Sequence, residues 1–175
     1  MTMTDWWKEA DKPTKDEPKS YPWGKLYPYY HKTERMCWAK GFVTTGDVSI
    51  VYLSGQTGRD PETDRQPKDA EDERRGAGTV VGGIREQTRQ AMMVIKQSLE
   101  DMGASLENIV GFHYYVVKRE DFFDFMDELF KFEKEYCPDL LENPRCGVML
   151  RGVGLDLPDM RCEIEVTAVI PRVNK

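Results

Sequence analysis

The 175-residue chain predicts an α+β domain in which two helices cover one face of a sheet. Two long segments, 84–102 and 120–137, repeat apolar residues at three- and four-residue steps. Five shorter segments are rich in β-branched and aromatic residues, and the resulting order is β-β-α-β-α-β-β with no internal repeat. A chain of this length holds one hydrophobic core, burying about 68–70% of the unfolded surface.

Residues 1–35 precede that domain as an extension. Trp6, Trp7, Trp23, Tyr21, Tyr27, Tyr29 and Tyr30 lie among Pro13, Pro18, Pro22 and Pro28, without helical or strand period. Disordered segments are poor in aromatics, so this density predicts an arm that packs across a neighbouring subunit or roofs a cleft. Residues 36–175 form the domain. Its first two strands, 37–41 and 48–54, flank the turn cluster Thr44-Thr45-Gly46-Asp47 and read as a hairpin. A long charged loop follows at about 57–83, most simply a solvated excursion, with a lid as the sharper reading.

The first helix is set by Ile84, Thr88, Ala91, Ile95, Leu99 and Met102, with Gly103 as its C-terminal cap. After a strand at 109–117, Glu120-Asp121 starts the second helix, carried by Phe122, Phe125, Met126, Leu129 and Phe132 and stopped before Pro138. Strands at 145–151 and 161–170 complete the domain.

Composition narrows the chemistry. The balance of 25 Lys+Arg against 31 Asp+Glu gives a net charge of −6 and offers no basic stripe for phosphates, so no nucleic-acid partner is expected. No apolar run reaches the roughly 18 residues of a membrane span, and residues 1–11 are charged rather than signal-like, which predicts a cytoplasmic protein. Cys37, Cys137, Cys146 and Cys162 lack C-x-x-C spacing and read as free thiols. With only His31 and His113, a multi-histidine metal site or histidine triad has few parts, and Met92, Met93, Met102, Met126 and Met149 are read as packing. No metal is expected.

Strand parity sorts the faces of the last three strands. One side carries Val110, Phe112, Tyr114 and Val116, then Cys146, Val148 and Leu150, then Cys162, Ile164, Val166, Ala168 and Ile170, and suits the helices. The other carries Gly111, His113 and Tyr115, then Arg145, Gly147, Met149 and Arg151, then Arg161, Glu163, Glu165 and Thr167. Such a mixed face packs against identical subunits and leaves polar groups in the crevices between them. On it, Arg145 is placed to grip a carboxylate or to form a salt bridge. Glu163, mid-strand, is a general acid/base group or an interface ion pair. His113 is a cleft residue or a satisfied structural one.

Six stretches in sequence give the chain a resemblance to the Rid proteins (reactive intermediate deaminases, YjgF-like). They are Val51-Tyr52-Leu53-Ser54-Gly55-Gln56, Gln87-Thr88-Arg89-Gln90-Ala91, Gly103-Ala104-Ser105-Leu106-Glu107-Asn108-Ile109-Val110, Glu120-Asp121-Phe122, Asn143-Pro144-Arg145, and Glu163-Ile164-Glu165-Val166-Thr167-Ala168-Val169. The resemblance implies a chorismate-mutase-like fold with two helices on one face of a mixed sheet, assembled as a homotrimer around a central barrel with clefts between subunits. It implies hydrolysis of reactive imines and enamines such as 2-aminoacrylate to 2-oxo acids and ammonia, without a cofactor.

Carried over by position, the resemblance makes Arg145 the residue that binds the substrate carboxylate and Glu163 the one that holds the attacking water. Trp38 stands where an aromatic, commonly tyrosine, walls the cleft; Ser54 and Gly55 line it, with His113 and Tyr115 as further candidates on the same face. Met126 replaces a cleft asparagine, and Gly147 a small polar residue. These departures and the long loop point to a larger substrate, of which 2-aminomuconate from aromatic catabolism is one class. The alternative is a non-catalytic trimer binding a small carboxylate in the same cleft.

Overall fold

An apolar stripe sets the position of the first helix. In the computed structural model, which describes residues 17–31, 34–63, 68–71 and 80–172, helix α1 (Ile84–Asp101) buries Ile84, Gln87, Thr88, Ala91, Met92, Ile95 and Leu99. Gly103, at φ +76°, turns the chain out of it, and the amides of Ala104 and Gly103 reach back to the carbonyls of Leu99 (2.8 Å) and Glu100 (3.0 Å). Met102 falls beyond the stripe and is exposed.

Helix α2 (Phe122–Tyr136) follows a single 3₁₀ turn at Arg119–Asp121 and buries Phe125, Met126, Leu129 and Phe132. Arg85 of α1 bonds Asp124 (2.6 Å) and Asp127 of α2, and Arg89 bonds Glu128 (3.1 Å) and Glu135 (2.6 Å). These half-exposed pairs contribute little each, but they fix how the helices lie along one another. Pro138 does end α2, and it also opens a third helix, α3 (Pro138–Glu142), that the sequence pattern did not disclose. Five residues are too few to display a period, and a proline suits the first helical position because its missing N–H has no partner there anyway.

The helices cover a four-stranded sheet of order β4-β7-β5-β6, formed by β4 (Val48–Thr57), β5 (Ile109–Val116), β6 (Cys146–Arg151) and β7 (Cys162–Pro171). β7 is antiparallel to β4 and β5, and β6 is parallel to β5, so the sheet is mixed as expected. A second, antiparallel sheet joins β1 (Lys19–Tyr21), β2 (Gly24–His31) and β3 (Glu34–Thr44). The hairpin expected from 37–41 and 48–54 therefore does not form. Gly46, at φ +86°, turns the chain between them, but β3 pairs with β2, while Val51 and Leu53 of β4 pack on the core opposite Ala168 and Val166 of β7. One backbone bond, from Ala39 N–H to Arg145 O (3.0 Å), ties β3 to the start of β6.

Lys19–Tyr21 and Gly24–His31 of the N-terminal arm are thus strand, contrary to its aperiodic sequence. Proline hides the pattern: the β2–β3 register shifts at Pro28, where no N–H can join the ladder, while Trp23 and Leu26 are buried. Trp6 and Trp7 lie outside the described residues, as does much of the charged loop.

Face assignments hold on β7, whose Cys162, Ile164, Val166 and Ala168 are buried, and need correction on two strands. A bulge between Ile109 and Gly111 puts Ile109 rather than Val110 in the core. On β6 the parallel register sets Gly147 beside Phe112 and Met149 beside Tyr114, so Met149 packs on the core. Val148 and Leu150, expected inward, are 44% and 45% exposed, and share the outer face with Ile50 and Tyr52.

Gln87, from one of the six stretches, is a buried bracket. Its amide donates to Asp159 O (3.0 Å) and accepts from Arg161 N–H (2.9 Å), while the Arg161 guanidinium clamps Asp121 at 2.8 and 2.5 Å. Gln87→Ala would strand a carbonyl and an amide and open a void. Urea unfolding should show a loss of about 2–4 kcal/mol, and a loss below about 0.5 kcal/mol would contradict the bracket.

Candidate functional site

A cavity of about 260 Å³ opens between the helix-facing side of β5 and β6 and helices α2 and α3. Phe112, Tyr114, Leu129 and Met149 make its walls apolar. Four residues singled out in the sequence line it together: the half-exposed Trp38, Met126, Arg145 and Gly147. Gly147 has a geometric reason to be glycine, since a Cβ there would sit 2.7 Å from the carbonyl oxygen of Phe112.

Arg145 is 4% exposed, and all five of its N–H donors have partners. Nε donates to Ile109 O (2.6 Å); Nη1 to the Tyr21 hydroxyl (2.9 Å) and Asn143 O (2.5 Å); Nη2 to Glu107 O (3.2 Å) and Asp139 Oδ2 (2.7 Å). The carboxylate on this arginine is therefore one from the chain itself. Asp139 also accepts from Lys19 Nζ and the Tyr21 hydroxyl, both at 2.8 Å. Burial alone would raise its pKa, yet the bonds from Arg145, Lys19 and Tyr21 outweigh burial and hold the carboxyl well below the usual range. Burial raises the Tyr21 phenol far above its ordinary value. The described part of the arm reaches a cavity residue through the Tyr21 hydroxyl on Arg145, and Lys19 reaches Asp139 behind it.

The remaining candidates gather on the opposite, outer face. A bulge at Ser54-Gly55 shifts the β4–β7 register between Leu53 and Gln56, and Gly55 lies so close to Glu163 that a Cβ would stand 1.8 Å from Oε1. Glu163 is half-buried, and burial, then Glu165 and Asp156, raises its pKa. Tyr115 donates to Glu165 Oε2 (2.8 Å), which raises the Tyr115 pKa, and His113 Nδ1 lies 3.3 Å from the same oxygen. Charged neighbours of one sign and partial burial suit Glu163 to taking a proton from water.

Arg145 and Glu163 do not meet within one chain. Arg145 bonds Ile109 at one end of β5, and Glu163 pairs with Tyr115 six residues along it, about 20 Å away at strand rise. Asp139, Tyr21 and Glu133 were not found from the sequence. The first sits on the five-residue helix and the second on a proline-flanked strand. Glu133 is a carboxyl on the buried side of α2 that also lines the cavity. Its place four residues after Leu129, inside the apolar stripe, was the available signal. Among the described residues, no group of three or more His, Cys, Asp or Glu is placed to hold a metal, and no helix is long and apolar enough to cross a membrane.

A family model described as Endoribonuclease L-PSP matches residues 39–170. Among solved structures, the Rid-family protein YyfB from Yersinia pestis superposes with a TM-score of 0.57 at 20% identity, over 77% of this chain and 87% of that one. TdcF from E. coli, solved with bound serine, gives 0.55 at 21% identity over 75% and 87%; the YjgF gene product of E. coli gives 0.53 at 24% over 75% and 86%. No curated protein sequence matches the chain. At these identities the superpositions establish the fold.

Proposed function

The chain belongs to the Endoribonuclease L-PSP family, the Rid or YjgF-like proteins, and from that premise we propose that it hydrolyses small reactive imines or enamines to a carbonyl compound and ammonia. The observation that carries the reading is the single cavity gathering Trp38, Met126, Arg145 and Gly147. The substrates are of the 2-aminoacrylate or 2-imino-acid type, and the apolar walls leave room for a larger amino-dicarboxylate such as 2-aminomuconate. The substrate carboxylate takes the place of Asp139 on Arg145, an exchange of one carboxylate for another that keeps the guanidinium paired.

Glu163 comes to this cavity from a second copy in a homotrimer. Supporting this are the 20 Å gap within a chain and the exposed Ile50, Tyr52, Val148 and Leu150 on the outer face, an apolar surface suited to packing against a neighbour. Glu163 takes a proton from water, the hydroxide attacks the imine carbon, and the carbinolamine collapses with loss of ammonia. The RNA cleavage in the family's name fits this chain poorly, since its net charge of −6 repels phosphate.

Glu163→Gln should lower ammonia release from 2-aminoacrylate generated in situ by about 10²-fold or more, with trimer mass unchanged in ultracentrifugation. An unimpaired rate overturns the reading. The saturation of Arg145 favours one second reading, a non-catalytic member. It predicts that 2-oxo acids bind in calorimetry while no imine is turned over.

A further inference from the structure

We propose that Glu133 of α2 is a catalytic residue that exchanges a proton with the substrate nitrogen in the cavity lined by Trp38 and Arg145. The inference rests on the deaminase reading and adds a residue that neither strand parity nor the six stretches indicated.

Glu133 is 5% exposed, lies one turn after Leu129 on the face that α2 packs inward, and lines the cavity. Among the described residues its carboxyl has no hydrogen-bond or ion-pair partner; burial and the charge of Arg145 are what act on it. A buried carboxyl without a partner is costly, and an apolar residue in this stripe would avoid the cost. Its oxygens need something that enters the cavity. The ionisable groups around it are Tyr114 of β5, Cys37 of β3, Arg145, Cys146 and Arg151 at β6, and Asp139 of α3 behind Arg145. Asp139 offsets the charge of Arg145, and burial pushes the Glu133 pKa up to about 8, so near neutral pH it carries a proton to give.

The carbinolamine needs such a donor, because its C–N bond breaks readily only when nitrogen leaves as ammonia. The Glu133 O–H gives its proton to the nitrogen, and the C–N electron pair departs with it. The O–H electron pair of the carbinol becomes the second bond of the carbonyl, and the freed proton returns to the Glu133 carboxylate. No co-reactant beyond substrate and water is required. The cavity also limits what the nitrogen is attached to. A space of about 150 Å³ holds a benzene ring, so 260 Å³ accommodates an aromatic or branched substituent on the imine carbon.

The test is the pH profile of ammonia release by the full chain, from 2-aminoacrylate and from the imine of phenylpyruvate, for wild type, Glu133→Gln and Glu133→Leu. The wild-type rate should fall as pH rises through about 8. Both variants should lose that alkaline limb and run about 10²-fold slower at neutral pH, with thermal unfolding midpoints no lower than wild type. The Leu variant keeps the apolar stripe of α2 should Gln disturb it. If wild type turns over imines and both variants keep its rate and alkaline limb, Glu133 has no such role and the deaminase reading stands. If wild type turns over no imine, that reading falls, and calorimetry with benzylamine decides the rest. Binding at least tenfold weaker in Glu133→Gln sustains Glu133 as the nitrogen-binding group; equal binding overturns it.

Discussion

Arg145→Ala is expected to cost about 3–5 kcal/mol of stability, the range for removing one partner of a buried ion pair. The truncation removes one donor each from the Asp139 carboxylate, three carbonyl oxygens and the Tyr21 hydroxyl, and takes the guanidinium from 5.0 Å off the Tyr21 ring. Urea unfolding reads the loss, and a change within about 0.5 kcal/mol would show that the network contributes nothing net. The expected size of the effect means that lost activity in Arg145→Ala does not by itself report on substrate grip. Asp139→Asn is the sharper probe, because it keeps the shape and frees the charge of Arg145. A 2-oxo acid should then bind more tightly in calorimetry if it competes with Asp139. The same residue gives the stability a pH dependence. The folded pKa of Asp139 lies below the unfolded value of about 3.9, so its contribution is complete above that pH and is lost as pH falls toward the folded value. Wild type should weaken below about pH 4, and Asp139→Asn should weaken less.

Gly55→Ala should separate activity from stability in the opposite sense. The added Cβ would lie 1.8 Å from Oε1, 2.7 Å from Cδ and 2.9 Å from Cγ of Glu163. What must yield is the end of a flexible side chain, so the thermal midpoint should move little. The carboxylate, however, is displaced by an ångström or more, and a misplacement of that size costs about 10²-fold in rate. Gly147→Ala meets the backbone oxygen of Phe112 at 2.7 Å, and should open the β5–β6 pairing and lower stability first. Ammonia release and thermal melts on the two variants check the contrast. A fully active Gly55→Ala would remove Glu163 from the reaction.

What the sequence disclosed follows from the reach of each signal. The stripes of α1 and α2 are periodic over many turns and locate both helices. The β-bulges and the facing of β6 depend on a partner strand, so alternation alone places Val110, Val148 and Leu150 on the wrong side. Of the cavity residues, Arg145 was legible because the stretch Asn143-Pro144-Arg145 fixes its place, and Trp38, Met126 and Gly147 were legible by their positions in the resemblance. What saturates Arg145 was not, since Tyr21 comes from 124 positions away and Asp139 from a helix too short to leave a period. Glu133 leaves a weak signal, because a charge inside an apolar stripe has the same pattern as the edge of the stripe.

The sheet order carries a consequence for how the chain is made. β7 lies between β4 and β5, yet it follows every other described strand in the sequence. At about 5–20 residues per second, β4 waits on the order of ten seconds after synthesis for the strand it must pair with. Through that interval Val51 and Leu53 have no strand to lie beside, and the core face of β5 is closed only by the helices. A chain stalled before residue 162 therefore has helices and no completed sheet, with the apolar edge of β4 still waiting for its partner strand.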